Sequence, residues 1–171
     1  MKVVKFLSAC AVLFALSPLA ASAATVLYQD QLDDPNALGS TWGKNASDPD
    51  HVSTFGYDYS ADGIPEAPNN LGGSATTGVK MEANLVSPGS AEHFTLYPIG
   101  QNFTGNYQLR FDAWQNFEDN AGTSTEFLGG GIGYDNVTAD VASGAQAIAT
   151  TEGGSSNDWR AFKSPPQFFI Q

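Results

Sequence analysis

The run Asn106 to Phe117 (NYQLRFDAWQNF) alternates with a period of two. In an extended chain it places Tyr107, Leu109, Phe111 and Ala113 on one side and Gln108, Arg110, Asp112 and Trp114 on the other. Such alternation is lost in a helix, so this stretch commits the chain to β structure. At about 40 Å fully extended, the run is expected to cross the middle of a sheet, followed by a glycine-rich partner strand. One side is expected to face a core. The other carries a cation, a carboxylate and an indole at alternate positions, which suits either a solvated surface or a recognition platform.

After the N-terminal segment no window shows an amphipathic helical repeat, glycine is abundant and charged residues are sparse. The class is therefore all-β. Strands are expected near Thr25 to Gln29, His51 to Tyr59, Thr77 to Leu85, Glu92 to Tyr97, Asn106 to Phe117, Thr125 to Tyr134, Ala145 to Ala149 and Trp159 to Lys163. Val79, Met81, Ala83 and Leu85 alternate cleanly with Lys80, Glu82 and Asn84, and Phe55, Tyr57 and Tyr59 follow the same rhythm. Asp33-Asp34-Pro35-Asn36, Ser47-Asp48-Pro49-Asp50 and Ser87-Pro88-Gly89 are turn signals, and Ser60 to Ala75 reads as a long ordered surface loop. Eight strands with long connections predict one domain, a two-sheet antiparallel sandwich of jelly-roll character. The apolar ending Phe168-Phe169-Ile170-Gln171 resembles the start of another strand, so the domain is expected to be truncated at its C-terminus.

Lys2 and Lys5 precede an apolar run from Phe6 to Ala20, which ends in Ala21-Ser22-Ala23-Ala24. This is the pattern of a secretory signal peptide cleaved after Ala23, with residues 24–171 as the mature domain. The run is too short for a membrane span and no stop-transfer charges follow it, so no transmembrane segment is expected in the mature chain. Leu7-Ser8-Ala9-Cys10 fits a lipoprotein box, but cleavage there would strand the apolar stretch Ala11 to Ala20 at the new terminus. Cys10 then leaves with the signal peptide, and with it any disulfide, thiolate metal site or cysteine nucleophile. Losing Lys2 and Lys5 cuts the basic residues from 7 to 5 against 18 acidic ones, moving the net charge from −11 to −13. So acidic a surface repels nucleic acid and anionic lipid. The expected location is secreted or in the cell envelope.

Asp62-Gly63-Ile64-Pro65-Glu66-Ala67-Pro68-Asn69, Phe103-Thr104-Gly105-Asn106-Tyr107, Phe111-Asp112-Ala113-Trp114 and Glu152-Gly153-Gly154-Ser155-Ser156-Asn157-Asp158-Trp159-Arg160, with Thr77 to Lys80 and Ser124 to Phe127, carry a resemblance. Together they resemble a group of uncharacterised secreted bacterial proteins that end in a PEP-CTERM sorting segment. That resemblance implies export and no particular activity, and the sorting segment is not in this sequence. At the level of fold alone the strand pattern is similar to concanavalin A-like lectin and glucanase sandwiches.

A glucanase of that type needs two carboxylates about 5 to 5.5 Å apart for retention, set by E-x-D-x-x-E or E-x-D-x-E on one strand face. Neither spacing occurs, and Asp112 has no acidic neighbour two residues away. There is no G-x-S-x-G elbow. His51 and His93 read as exposed strand residues. Gly129 to Gly133 lacks the Lys-Ser/Thr and helix of a phosphate loop, so close strand packing or a bulge explains it. A structural calcium ion would suit carboxylates at Asp30, Asp33 and Asp34, or at Asp135 with Asp140, against the alternative of solvated turns. No other cofactor is expected.

Two functions compete. The first is a non-catalytic exported envelope or extracellular-matrix protein, which needs only a stable acidic exterior. The second is a lectin-like carbohydrate-binding module using Trp114 as a flat aromatic with Gln108, Arg110 and Asp112 as hydroxyl partners, its ligand an extracellular polysaccharide or envelope component. The second requires that Trp114 not be packed under a loop. A glycan hydrolase stands third.

Overall fold

The structure, a computed structural model, describes residues 25–70, 76–86, 92–115, 126–137, 144–150 and 159–163. Their regular elements are the strands β1 (Trp42–Ala46), β2 (His51–Asp58), β3 (Thr77–Ala83), β4 (Phe94–Pro98), β5 (Phe127–Ile132), β6 (Ala145–Thr150) and β7 (Trp159–Lys163), with one 3-10 turn at Tyr59–Asp62. Every strand pairing is antiparallel: β1 with β4, β2 with β3, and β5, β6 and β7 as a meander. The chain is all-β.

β3 forms where apolar and polar residues alternate, though Met81 is exposed and Glu82 half-buried, and β2 breaks the period in an informative way. Phe55 pairs with Val79 and Tyr57 with Gly78, so two steps along β2 correspond to one along β3. Gly56 is the extra residue of a β-bulge, at φ +67°. Phe55 and Tyr57 therefore lie on opposite faces, where unbroken alternation would put them on one. Gly56 also holds the preceding turn, because its N–H donates to the Leu32 carbonyl at 2.9 Å. A side chain there would press on the Asp33 carbonyl oxygen. On the outer face Tyr57 receives the Lys80 ammonium 5.1 Å from its ring centre, and Lys80 pairs with Glu82 at 3.0 Å.

The register of β1 with β4 puts Trp42, Lys44, Ala46, Phe94, Leu96 and Pro98 on one face of that ribbon. From this face Trp42 meets Phe55 at 6.0 Å between ring centres, and Phe94 stacks on His51 at 4.7 Å. His51 and Phe55 share one face of β2, so two ring pairs join the two ribbons. On the opposite face of β1–β4 the Tyr97 ring covers Gly43, its cross-strand neighbour, where a methyl group would collide with it. Tyr134, just beyond β5, lies 5.5 Å from the Tyr97 ring, and its hydroxyl accepts a 3.0 Å hydrogen bond from Asn45 Nδ2. The glycine run in β5 serves close packing, as its sequence suggests. Side chains at Gly129 and Gly131 would strike Ile148 and Gln146 of β6, and one at Gly130 would strike the Phe111 ring.

Three expectations are corrected. Residues 106–115 form no strand, and Leu109 and Phe111 stay 47% and 56% exposed rather than facing a core. Alternation specifies an extended chain, but a strand also needs a neighbour's backbone N–H and C=O groups in register, and here β5 pairs with β6. Asn116 and Phe117 lie outside the described residues. Thr25 to Gln29 also forms no strand, and Val26 and Leu27 are exposed. Conversely β1 was not expected, since Gly43, Lys44 and Asn45 are poor strand formers. The expected signal peptide, residues 1–23, lies outside the described residues, among which no helix is long and apolar enough to cross a membrane.

Candidate functional site

Gln108, Arg110, Asp112 and Trp114 all lie exposed on the irregular segment between β4 and β5. Hydrogen bonds hold the side chains of the first three. Arg110 Nε donates to Gln108 Oε1 at 3.1 Å. Asp112 accepts from the Asn69 N–H at 2.8 Å and from Asn69 Nδ2 at 2.7 Å, binding the segment to the loop that follows the 3-10 turn. That loop is itself ordered locally. The Asp58 carboxylate caps the turn through Ser60 N–H and accepts from the Ser60 and Thr76 hydroxyls. These hydrogen bonds, the Ser60 hydroxyl first, hold the Asp58 carboxyl below the usual range. The Ala67 N–H donates to the Tyr59 hydroxyl at 3.2 Å. Trp114 is 55% exposed. Asn69 was not expected at this site; its partner is 43 residues away, and nothing local in the sequence joins them.

Of the aspartates suited to calcium, Asp30, Asp34 and Asp135 hold local turns. Asp30 accepts from Trp42 Nε1 at 3.0 Å, the Tyr28 hydroxyl at 3.0 Å and the Leu32 N–H at 2.7 Å. Asp34 and Asp135 accept from the N–H two residues ahead, on Asn36 and Val137. Among the described residues no three acidic or histidine side chains converge as a metal-ligand set, so Asp30, Asp33 and Asp34 are not gathered into one. Asp140 lies outside the described residues.

The Tyr28–Asp30 contact has a signature in alkali. Burial first, then the hydrogen bond to Asp30, pushes the Tyr28 hydroxyl from 10.0 up to about 12. For Asp30 burial is again the largest influence and acts upward, but the bonds from Trp42, Leu32 and Tyr28 outweigh it and hold the carboxyl below 3.8. The raised tyrosine contributes stability that is complete below pH 10 and lost as pH climbs towards 12. The depressed aspartate contributes stability that is lost as pH falls below 3.8. Tyr28→Phe should therefore flatten the decline in unfolding free energy between about pH 10 and 12. Urea titrations of both proteins across that range check it, and an unchanged slope would refute the contact.

His51 is not the exposed strand residue its sequence suggests. Its side chain is 8% exposed and that of Glu92 only 1%. His51 Nδ1 lies 2.7 Å from the Asp48 carbonyl and 3.0 Å from Glu92 Oε1. Both neighbours are acceptors, so Nδ1 carries a proton. That single proton bonds the closer carbonyl, leaving Glu92 Oε1 beside it without a hydrogen bond of its own. The other oxygen, Oε2, accepts from Ser47 Oγ at 3.2 Å, which in turn accepts from the His93 N–H at 3.1 Å. The order is Ser–Glu–His. A nucleophilic triad needs the hydroxyl on the imidazole, whereas here the carboxylate holds it. The cluster's role is to join the ends of β1, β2 and β4.

No family model, curated protein or solved structure matches this chain.

Proposed function

We propose that the protein is an exported, non-catalytic component of the cell envelope or extracellular matrix that binds polysaccharide through residues 108–114. The observation that carries this reading is the exposure of the Trp114 indole on the same short segment as Gln108, Arg110 and Asp112. A flat apolar ring flanked by hydrogen-bonding groups is what the apolar face and hydroxyls of a sugar require. The N-terminal pattern supports export, and the net charge of −11 supports an extracellular, hydrated exterior.

The scaffold we infer is a two-sheet sandwich of jelly-roll character. Nested pairing supports it: β1 pairs with β4 around the β2–β3 hairpin, and the ring pairs Trp42–Phe55 and His51–Phe94 set one ribbon against the other. Rolling up a long antiparallel ribbon places successive nested pairs in opposite sheets in this way.

Covering about 100 Å² of the indole is worth roughly 2.5 kcal/mol, giving binding in the millimolar range after association costs. Trp114→Ala should then weaken binding about 70-fold. Calorimetric titration of soluble glycans into wild type and variant tests this, with melting temperatures as the control. Loss of binding at an unchanged melting temperature is expected. Absence of glycan binding in a folded wild type would leave a purely structural role.

A further inference from the structure

We propose that the polysaccharide taken by residues 108–114 is acidic, a polymer of uronate sugars whose carboxylate pairs with Arg110; this rests on the carbohydrate-binding reading above. Among the described residues the Arg110 guanidinium is engaged through Nε, by Gln108, and its two terminal nitrogens have no hydrogen-bond partner there. Those nitrogens form the planar fork that matches a carboxylate in two parallel hydrogen bonds. The Gln108 contact fixes the plane of that fork before any ligand arrives. Asp112, the one acidic side chain among the four, has both oxygens held by Asn69. Arg110 is thus the charged group of the segment with donors to spare. By contrast Lys80 is taken up by Glu82 and the Tyr57 ring.

Arg110 and Trp114 are four residue steps apart on an irregular segment, a reach of up to about 14 Å, which gives guanidinium and indole room to address different sugars of a chain, so an oligomer is the fitting occupant. The acidic exterior weakens the binding of any polyanion, less so where salt screens its field beyond about 8 Å, so the preference is carried by the direct guanidinium contact.

The test titrates the full chain, in chelator to remove bridging cations, with oligogalacturonate and with the neutral galactan of the same length. Wild type should bind the uronate about tenfold more tightly. Arg110→Gln should abolish that preference, bringing the uronate affinity down to no more than that for the neutral galactan, Arg110→Lys should keep part of it, and Trp114→Ala should weaken both ligands. Equal affinity of wild type for the two probes, or a preference that survives in Arg110→Gln, would overturn the inference and leave carbohydrate binding standing. Binding of neither probe would overturn the carbohydrate-binding reading, and the inference with it.

Discussion

Glu92→Ala is expected to destabilise the fold by about 2 kcal/mol, the cost of a buried polar group losing its partner and below the range for breaking a buried ion pair. Glu92 is the one charged residue of the described set that is buried, and its carboxylate touches both His51 and Ser47. Removing it leaves the Ser47 hydroxyl without its acceptor and opens a void where β1, β2 and β4 converge. The His51 proton keeps its bond to the Asp48 carbonyl, which is why the loss falls short of the full range. Chemical denaturation of the single variants and of the His51→Ala/Glu92→Ala pair checks it. The cycle should show a coupling of about 1 kcal/mol or more. Additive single effects would mean that the two side chains do not act together.

Phe55→Ala should cost about 3–5 kcal/mol. The described residues offer few alternatives: Ala37, Phe55 and Ile148 are their buried apolar side chains, and Phe55, 5% exposed, is the largest of the three. Its ring faces Trp42 across the two ribbons, so its loss removes one of the two ring pairs joining them. Phe55→Leu keeps most of the volume and should cost under about 1.5 kcal/mol. Tyr57→Ala, one turn of the bulge away on the outer face, should cost less than Phe55→Ala. The comparison of Phe55 with Tyr57 tests the bulge directly, since equal costs would mean that the two rings share a face.

The strands that announce themselves in the sequence are those in which composition and pairing agree. Val79, Met81 and Ala83 alternate with Lys80 and Glu82, and β3 forms where they lie. Asn106 to Phe117 alternates just as cleanly, yet its described part pairs with nothing regular, because alternation records an extended backbone and carries no information about a free partner edge. The reverse holds for β1, where Gly43 weakens the propensity and the distant Tyr97 ring supplies the cover. At the candidate site the exposed residues were legible as side-chain chemistry on one short run. The Asn69–Asp112 clamp and the Ser47–Glu92–His51 cluster were not, since each joins groups more than 40 residues apart whose meeting depends on the ribbons being in place.

The proposed binding is tested most directly by where a glycan touches the protein. The chain has three tryptophans, Trp42, Trp114 and Trp159, and each gives one indole N–H signal in a nitrogen-correlated NMR spectrum. The Trp42 N–H is held by Asp30 at 3.0 Å, while the Trp114 indole is exposed. Titration with oligogalacturonate should shift the Trp114 signal progressively and leave that of Trp42 in place. A shift confined to Trp42 or Trp159, or no shift at saturating ligand, would contradict binding at residues 108–114.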